Sequence, residues 1–282
     1  MTGRNVAIDR SPVWQGLLLL LVLVGLAALL GVESSVSRHS LFVTIERDSA
    51  NLTKVIEQSI QTVVGKIDVA LTETAHDYAA ALAAGRPLDA AAANADLARR
   101  MALMAEAQEN SLRVVGSDGR VVFSAGSTAE VPDVNVHDRF YFQTHADNID
   151  SGLVVSEPLL SRFTGKWLVT LSRRMTAPDG RFLGVAQAAL RAEYFQSLFE
   201  GLKIDPRDSM ALFDLDLRLL SRLPAREGEL GKISDTADLG SALRSGKRQG
   251  TFTTMSPVDG VDRRSTRLNS SHSSVSRMPS SA

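Results

Sequence analysis

Cysteine is absent from the chain, which excludes a disulfide framework and thiolate metal sites. Charge of either sign is not in excess. The net charge is -1 over 282 residues, so there is no basic face of the kind a nucleic-acid partner needs. Catalytic signatures are missing as well. There is no Gly-x-Ser-x-Gly elbow, no His-Glu-x-x-His pair and no phosphate-binding Gly-x-x-x-x-Gly-Lys loop. Acidic residues are plentiful, but no two form a defensible general acid and base. His137 and His145 stand too far apart to make a metal signature. Neither a metal nor a cofactor is implied. Aromatic residues make up only 5% of the chain, so wherever they cluster the clustering is informative.

Proline is absent between Ser34 and Ala84, and glycine occurs there only at Gly65. Apolar residues recur through that stretch at helical spacing: Leu41, Ile45, Leu52, Val55, Ile56, Ile60, Val63, Val64, Ile67 and Leu71. One long helix is expected, broken at Gly85-Arg86-Pro87. A second helix is expected over Leu88–Asn110, with Asp89 near its start and a stripe through Leu97, Met101 and Met104. Such a pair reads as a stalk that transmits a conformational change or as plain helical packing. Ahead of it, Val13–Val32 carries no charge and is long enough to cross a bilayer, with Trp14 at its start as an interfacial anchor. Arg4 and Arg10 precede this run, which favours a cytoplasmic N-terminus and an extracytoplasmic remainder. A cleaved signal peptide would have a shorter apolar core.

Beyond the helices the period changes to two. Leu112, Val114 and Val115, then Ser117-Asp118-Gly119, then Val121, Val122 and Phe123 predict a hairpin. Three further strand-like runs follow, Gly152–Leu160, Lys166–Met175 and Phe182–Leu190. Thr164-Gly165 and Pro178-Asp179-Gly180 separate them as turns. The expected layout is α+β, one antiparallel sheet with helices packed on it. Arg191–Leu202 predicts a short helix whose Tyr194, Phe195, Leu198 and Phe199 belong to the core. A second hairpin pattern runs through Met210–Phe213 and Leu217–Leu220, then a small helix over Asp235–Ser245 and a strand over Gly250–Ser256.

Just before the three runs stands Arg139-Phe140-Tyr141-Phe142, a guanidinium beside three rings. Arg supplies a planar fork of donors and the rings supply apolar walls, a combination suited to a small anion. On an extended segment Arg139 and Tyr141 share a face, and Asp138 points away from Arg139. Trp167 and Arg173 share a face of the second run for the same reason, and either complete the pocket or serve as a core ring and a solvated edge residue.

The segments DRFYF, SEPLLSRFTGKWLVTLSRRM and PDGRFLGVAQAALRAEYF resemble the distal module of the double Cache sensors, the PAS-like extracytoplasmic domains of bacterial receptors. The resemblance spans roughly Val32 to Asp262. It implies residues 1–12 as a cytoplasmic N-terminus, 13–32 as a transmembrane helix, 33–110 as stalk and packing helices, 111–205 as a distal module and 206–262 as a truncated proximal one. It also implies a single-pass protein of the bacterial inner membrane, with the sensor periplasmic and a homodimer formed through the long helix. The ligand-binding residues it points to are Arg139, Tyr141, Phe142, Trp167 and Arg173, with Arg139 pairing a ligand carboxylate. Amino-acid-binding members usually carry an aspartate late in the last distal strand; Ala188 or Ala189 stands there, a departure that speaks against amino-acid sensing and leaves a carboxylate without an amine open.

After Asp262 the chain reads RRSTRLNSSHSSVSRMPSSA. Serine dominates and hydrophobic periodicity stops, a composition that builds no packed core. The segment resembles the translation of sequencing-adapter DNA at the end of a truncated reading frame. Residues 263–282 are therefore expected to be disordered, leaving the SPVDGVD hairpin unfinished. Neither a GGDEF loop nor a kinase phosphoacceptor region is present; the output expected after the truncation is a diguanylate cyclase or a histidine kinase. The competing reading is a membrane-anchored periplasmic hydrolase, distinguished by a nucleophile and base near Arg139.

Overall fold

The computed structural model describes residues 51–103, 111–125, 133–202, 209–214, 216–226, 228–233, 240–241, 251–255 and 262–266. All of these residues except Asn51 belong to one compact unit, Leu52–Ala282. The apolar run Val13–Val32 lies outside the described residues. Among those described, no helix is long and apolar enough to cross a membrane.

The first helix, α1, covers residues 51–83. Its buried face repeats every three to four residues through Val63, Ile67, Leu71, Ala75 and Tyr78. It stops at Gly85, whose φ of 62° only glycine adopts freely. The second helix, α2 (Ala90–Leu103), starts where Asp89 accepts a hydrogen bond from the Ala92 amide at 2.9 Å. The two helices are fastened by the Tyr78 hydroxyl, which donates to the Ala93 carbonyl at 3.0 Å, and by Arg100, which reaches Asp77 at 2.7 Å.

The expected hairpin is β1 (Ser111–Gly116) and β2 (Val121–Ala125). A short helix α3 (Phe140–Asp147) precedes β3 (Leu153–Val155), β4 (Leu159–Leu160), β5 (Trp167–Thr176) and β6 (Phe182–Arg191). These strands form one antiparallel sheet in the order β2-β1-β6-β5-β3, with β4 also paired to β5. The first of the three expected runs is thus split. Pro158 has no amide to offer the ladder, and the Ser156 hydroxyl accepts from the Thr170 amide at 2.9 Å where a backbone bond would otherwise run.

Alternation sorts the sheet into two faces. Leu112, Val114, Val169, Leu171, Met175, Ala186, Ala188 and Leu190 join the core under α1 and α2. Val115 and Val185 face the other way, into a smaller cluster with Tyr141, Phe142 and Val136. Both faces of the central strands are covered, which is why they read as nearly continuous apolar runs.

The chain continues into α4 (Ala192–Glu200), where Phe195 and Phe199 are buried as expected for core rings. A hairpin follows, β7 (Met210–Phe213) with β8 (Leu219–Leu223), and then β9 (Thr251–Met255) with β10 (Asp262–Thr266). The last pair corrects the reading of the C-terminal segment at its start. The hairpin does not stop at Asp262, because Arg263, Arg264, Ser265 and Thr266 pair in register with Thr254, Thr253, Phe252 and Thr251. Ladder bonds belong to the backbone, so a polar sequence can form them.

Two positions give measurable consequences. Gly184 lies in β6 with φ 124°, and a Cβ there would stand 2.0 Å from the Val115 carbonyl oxygen. Gly184→Ala is expected to lower stability by about 2–4 kcal/mol, read as a shift in the urea midpoint. An unchanged midpoint would show that β1 and β6 approach less closely. His145, on α3, is fully buried between the hydroxyls of Ser151 and Ser172 at 2.5 and 3.0 Å. Burial pushes its pKa down to about 4, against about 6.5 in an unfolded chain. The neutral ring's contribution is complete above pH ~6.5 and is lost as pH falls towards ~4, because the unfolded chain takes up the proton first. The loss is about 3 kcal/mol in all. The stability gap between the parent and His145→Gln should therefore narrow over that window; a gap constant with pH would count against the buried neutral imidazole.

Candidate functional site

The sheet face opposite α1 and α2 carries a small, partly open cleft. Its floor follows from strand register. Arg113 of β1 stands opposite Gln187 of β6, which stands opposite Ser172 of β5. One step along, Ser111, Ala189 and Thr170 align in the same way. Arg113, Gln187, Ala189 and Thr170 line the cleft from below. One wall is the start of α3, with Arg139 and Tyr141. The other is the turn after β4, with Ser161, Arg162 and Phe163. This turn is closed by the Ser161 hydroxyl, which accepts from the amides of Phe163 and Thr164 at 3.2 Å each.

Three guanidiniums meet here in different states. Arg162 holds Asp138 through two bonds of 2.7 and 2.6 Å, and that pairing draws the Asp138 carboxyl down to about 2. Arg139 donates to the Leu160 carbonyl at 3.2 Å. Arg113 is only 3% exposed. It donates to the Ser111 hydroxyl and lies under the Phe163 ring, 4.1 Å from the centroid, while its Nε has no hydrogen-bond partner. Burial pushes its pKa down to about 10, the direction expected when a cation loses water without gaining an anion. Gln187, also 3% exposed, has its Oε1 buried without a partner. Tyr141 is 3% exposed; burial raises its pKa, and Arg139, Arg113 and Arg162 all pull against that rise. Its phenol thus sits within the field of all three cations.

Of the residues singled out in the sequence, Arg139 and Tyr141 are brought together at the cleft, although by a different backbone. The segment is not extended. Arg139 is the N-cap of α3, and its carbonyl accepts from the amides of Phe142 and Gln143. Tyr141, Phe142 and His145 then face the sheet at helical spacing, a pattern that was legible in the sequence. Phe142 is core, 1% exposed, with its ring 5.4 Å from that of Phe182. Trp167 and Arg173 do share a face of β5, but it is the face turned to the helices. Arg173 makes a two-point ion pair with Asp68 of α1 at 2.5 and 2.9 Å. Trp167 lies against Gly231, where a Cβ would stand 2.3 Å from its ring. Neither lines the cleft, so both are corrected from ligand contacts to packing residues. Arg113 and Gln187 went unnoticed; their signal was a lone polar side chain inside an apolar strand, in SLRVVG and GVAQAAL.

Of the two alanines at the expected aspartate position, Ala189 lines the cleft and Ala188 packs in the core under the helices. No carboxylate lines the cleft among the described residues. A histidine does contact serines, but His145, Ser151 and Ser172 are each 0% exposed. No substrate reaches them in this conformation, so this pairing gives no support to hydrolysis. Among the described residues there is no group of three or more His, Asp or Glu side chains that could hold a metal ion.

Comparison with known proteins bears on both sequence and fold. Residues 192–273 match the dCache_1-like family, described as a histidine kinase sensor domain. No curated protein sequence matches the chain. Among solved structures, the extracellular domain of the candidate histidine kinase rpHK1S-Z16 superposes with a TM-score of 0.64 at 26% identity, covering 76% of this chain and 84% of that one. The ligand-binding domain of the Campylobacter jejuni chemoreceptor Tlp3, in complex with L-valine, gives 0.53 at 16% identity over 80% and 88% of the two chains. That of the Pseudomonas fluorescens chemoreceptor CtaA, in complex with L-isoleucine, gives 0.53 at 16% over 75% and 79%. At such identities the two chemoreceptors speak for the fold alone. In fold, and in sequence over residues 192–273, the chain is similar to the double Cache sensor domains of bacterial histidine kinases and chemoreceptors.

Proposed function

We propose that this chain is the ligand-sensing, extracytoplasmic input region of a membrane-bound receptor, and that a small anion held in the cleft is its signal. The observation that carries the reading is the cleft itself: Arg113 and Arg139 both line it, with Tyr141 in the field of both and apolar walls around. A charged group removed from water needs an anion or several acceptors. The similarity to sensor domains favours a signal over a substrate. Val13–Val32 is the proposed membrane anchor, α1 the proposed seat of a homodimer contact, and a histidine kinase or diguanylate cyclase the proposed output.

A ligand acts on such a receptor only by binding one conformation better than another. The route favoured here runs through β5. Its Leu168 and Thr170 line the cleft, and its Arg173 is fixed to α1 through Asp68. Calorimetric titration with small carboxylates tests the site. Arg139→Ala is expected to weaken binding by roughly tenfold to a hundredfold, the worth of a charge-assisted bidentate pair. Arg139→Lys should restore only part, since an ammonium lacks the planar fork. Trp167→Phe should leave affinity within about twofold, as expected for a surface away from the ligand. Unchanged affinity in Arg139→Ala would place the ligand elsewhere. Topology has its own test: a periplasmic phosphatase reporter fused after Gly201 should be active, and activity of a cytoplasmic reporter at that point would reverse the assignment.

A further inference from the structure

We infer that the cleft is built for a dianion, a short-chain dicarboxylate, rather than for a monocarboxylate or a zwitterionic amino acid. The inference rests on the proposed anion site and adds its charge and shape. Three guanidiniums, those of Arg113, Arg139 and Arg162, line the cleft, and among the described residues no carboxylate does. The nearby carboxylate, Asp138, is engaged at both oxygens by Arg162 and feels Arg139 at longer range. Three positive charges against one negative leave two uncompensated. A monocarboxylate would neutralise one of them. An amino acid would also bring an ammonium into a site where no acid among the described residues receives it, and with Ala189 at the expected aspartate position.

The second cation is Arg113, and its setting is what distinguishes it from a surface arginine. The residue is 3% exposed, yet Nε is left without a partner and, among the described residues, its guanidinium bonds only to a neutral hydroxyl. Beside it on the floor, Gln187 is equally buried and its Oε1 is unpartnered too. The unpartnered Nε–H of Arg113 marks a place where an acceptor from another molecule completes the bonding; the Gln187 carbonyl oxygen, itself an acceptor, calls for a donor such as a hydroxyl or water. Arg139 lies on the wall formed by α3 and Arg113 on the floor, so one anionic group belongs to each. Val136, Leu159, Phe163 and Leu168 supply apolar lining between the polar groups. A carbon chain joining two carboxylates uses such walls; inorganic phosphate, equally dianionic, does not.

The test varies the ligand first, so that it does not depend on how a buried variant folds. The full chain in detergent is titrated near neutral pH with malonate, succinate and glutarate. The same titration is run with butyrate, the monomethyl ester of succinate, L-valine and inorganic phosphate. One of the dicarboxylates is expected to bind roughly tenfold to a hundredfold more tightly than butyrate or the monoester, the worth of one further charge-assisted pair. In Arg113→Lys the preference for dicarboxylate over monoester should shrink, while Arg139→Ala weakens all of them. Monoester or butyrate binding as tightly as the diacid, and still depending on Arg139, would overturn the dianion and leave the anion site standing. L-Valine binding most tightly would overturn it likewise. Phosphate binding as tightly as the best diacid would keep the charge count but overturn the dicarboxylate. If no anion in the panel binds, both the dianion and the anion site fail.

Discussion

A strand has two faces and no third. In a sheet covered on both sides, every residue of β1, β5 and β6 must therefore serve one layer or the other. The structure depends on this constraint. On the side of α1 and α2 the assigned residues are mostly apolar, with Arg173 held by Asp68, and each buried leucine or valine contributes about 1.5–3 kcal/mol. On the opposite side the same strands place Arg113, Gln187, Thr170 and Ser172, all nearly inaccessible. That side is anchored by α3 and is where polar groups are tolerated. His145 satisfies Ser172 and Ser151 in a closed set of bonds. Arg113 and Gln187, in the same cross-strand row as Ser172, each keep one polar atom without a partner. A fold that closes one polar set and leaves its neighbour incomplete has spent stability there, and a binding partner is the physical reason to do so.

The arginines illustrate how differently one side-chain type behaves with its surroundings. Arg162 and Arg173 each hold an aspartate in a planar two-point grip, the geometry the guanidinium fork favours. Arg174 donates to the His145 and Ala146 carbonyls and lies over the Phe182 ring, so it fastens the far end of α3 to the sheet. Arg113 has a ring and a hydroxyl. A ring face contributes about 0.5–2 kcal/mol to a cation, well short of the several kcal/mol that desolvating an ion costs. The comparison of magnitudes, more than the position in a pocket, separates Arg113 from the other arginines.

The sequence made the sheet legible because β5 and β6 are long and bounded by Gly turns, and strand geometry alone puts Trp167 and Arg173 on one face. Parity, however, says which residues go together and not which layer they meet. That assignment is made by tertiary packing, and Asp68, more than a hundred residues away, decides it for Arg173. The α3 segment misled for a related reason. An aromatic cluster after Arg139 suits a strand as well as a helix, and only the spacing of Tyr141, Phe142 and His145 tells them apart. Arg113 was overlooked because one polar residue in a strand reads as an edge or a solvated position until the strand is known to be central. The C-terminal pairing at β10 was hidden because composition reports on side-chain burial, whereas a ladder needs only amides and carbonyls.

Trp167 and Leu168 are neighbours on β5 and, being neighbours, point apart. Leu168 looks into the cleft; the Trp167 ring rests on the bare backbone of Gly231, in the chain that follows β8. Six residues along, the same strand grips α1 through Arg173. One strand therefore borders a solvent-facing cavity, a long helix and the C-terminal part of the chain, with no other element interposed. A tilt of β5 by a few degrees would be felt at all three places at once. At Gly231 there is no side chain to cushion the indole against such a tilt.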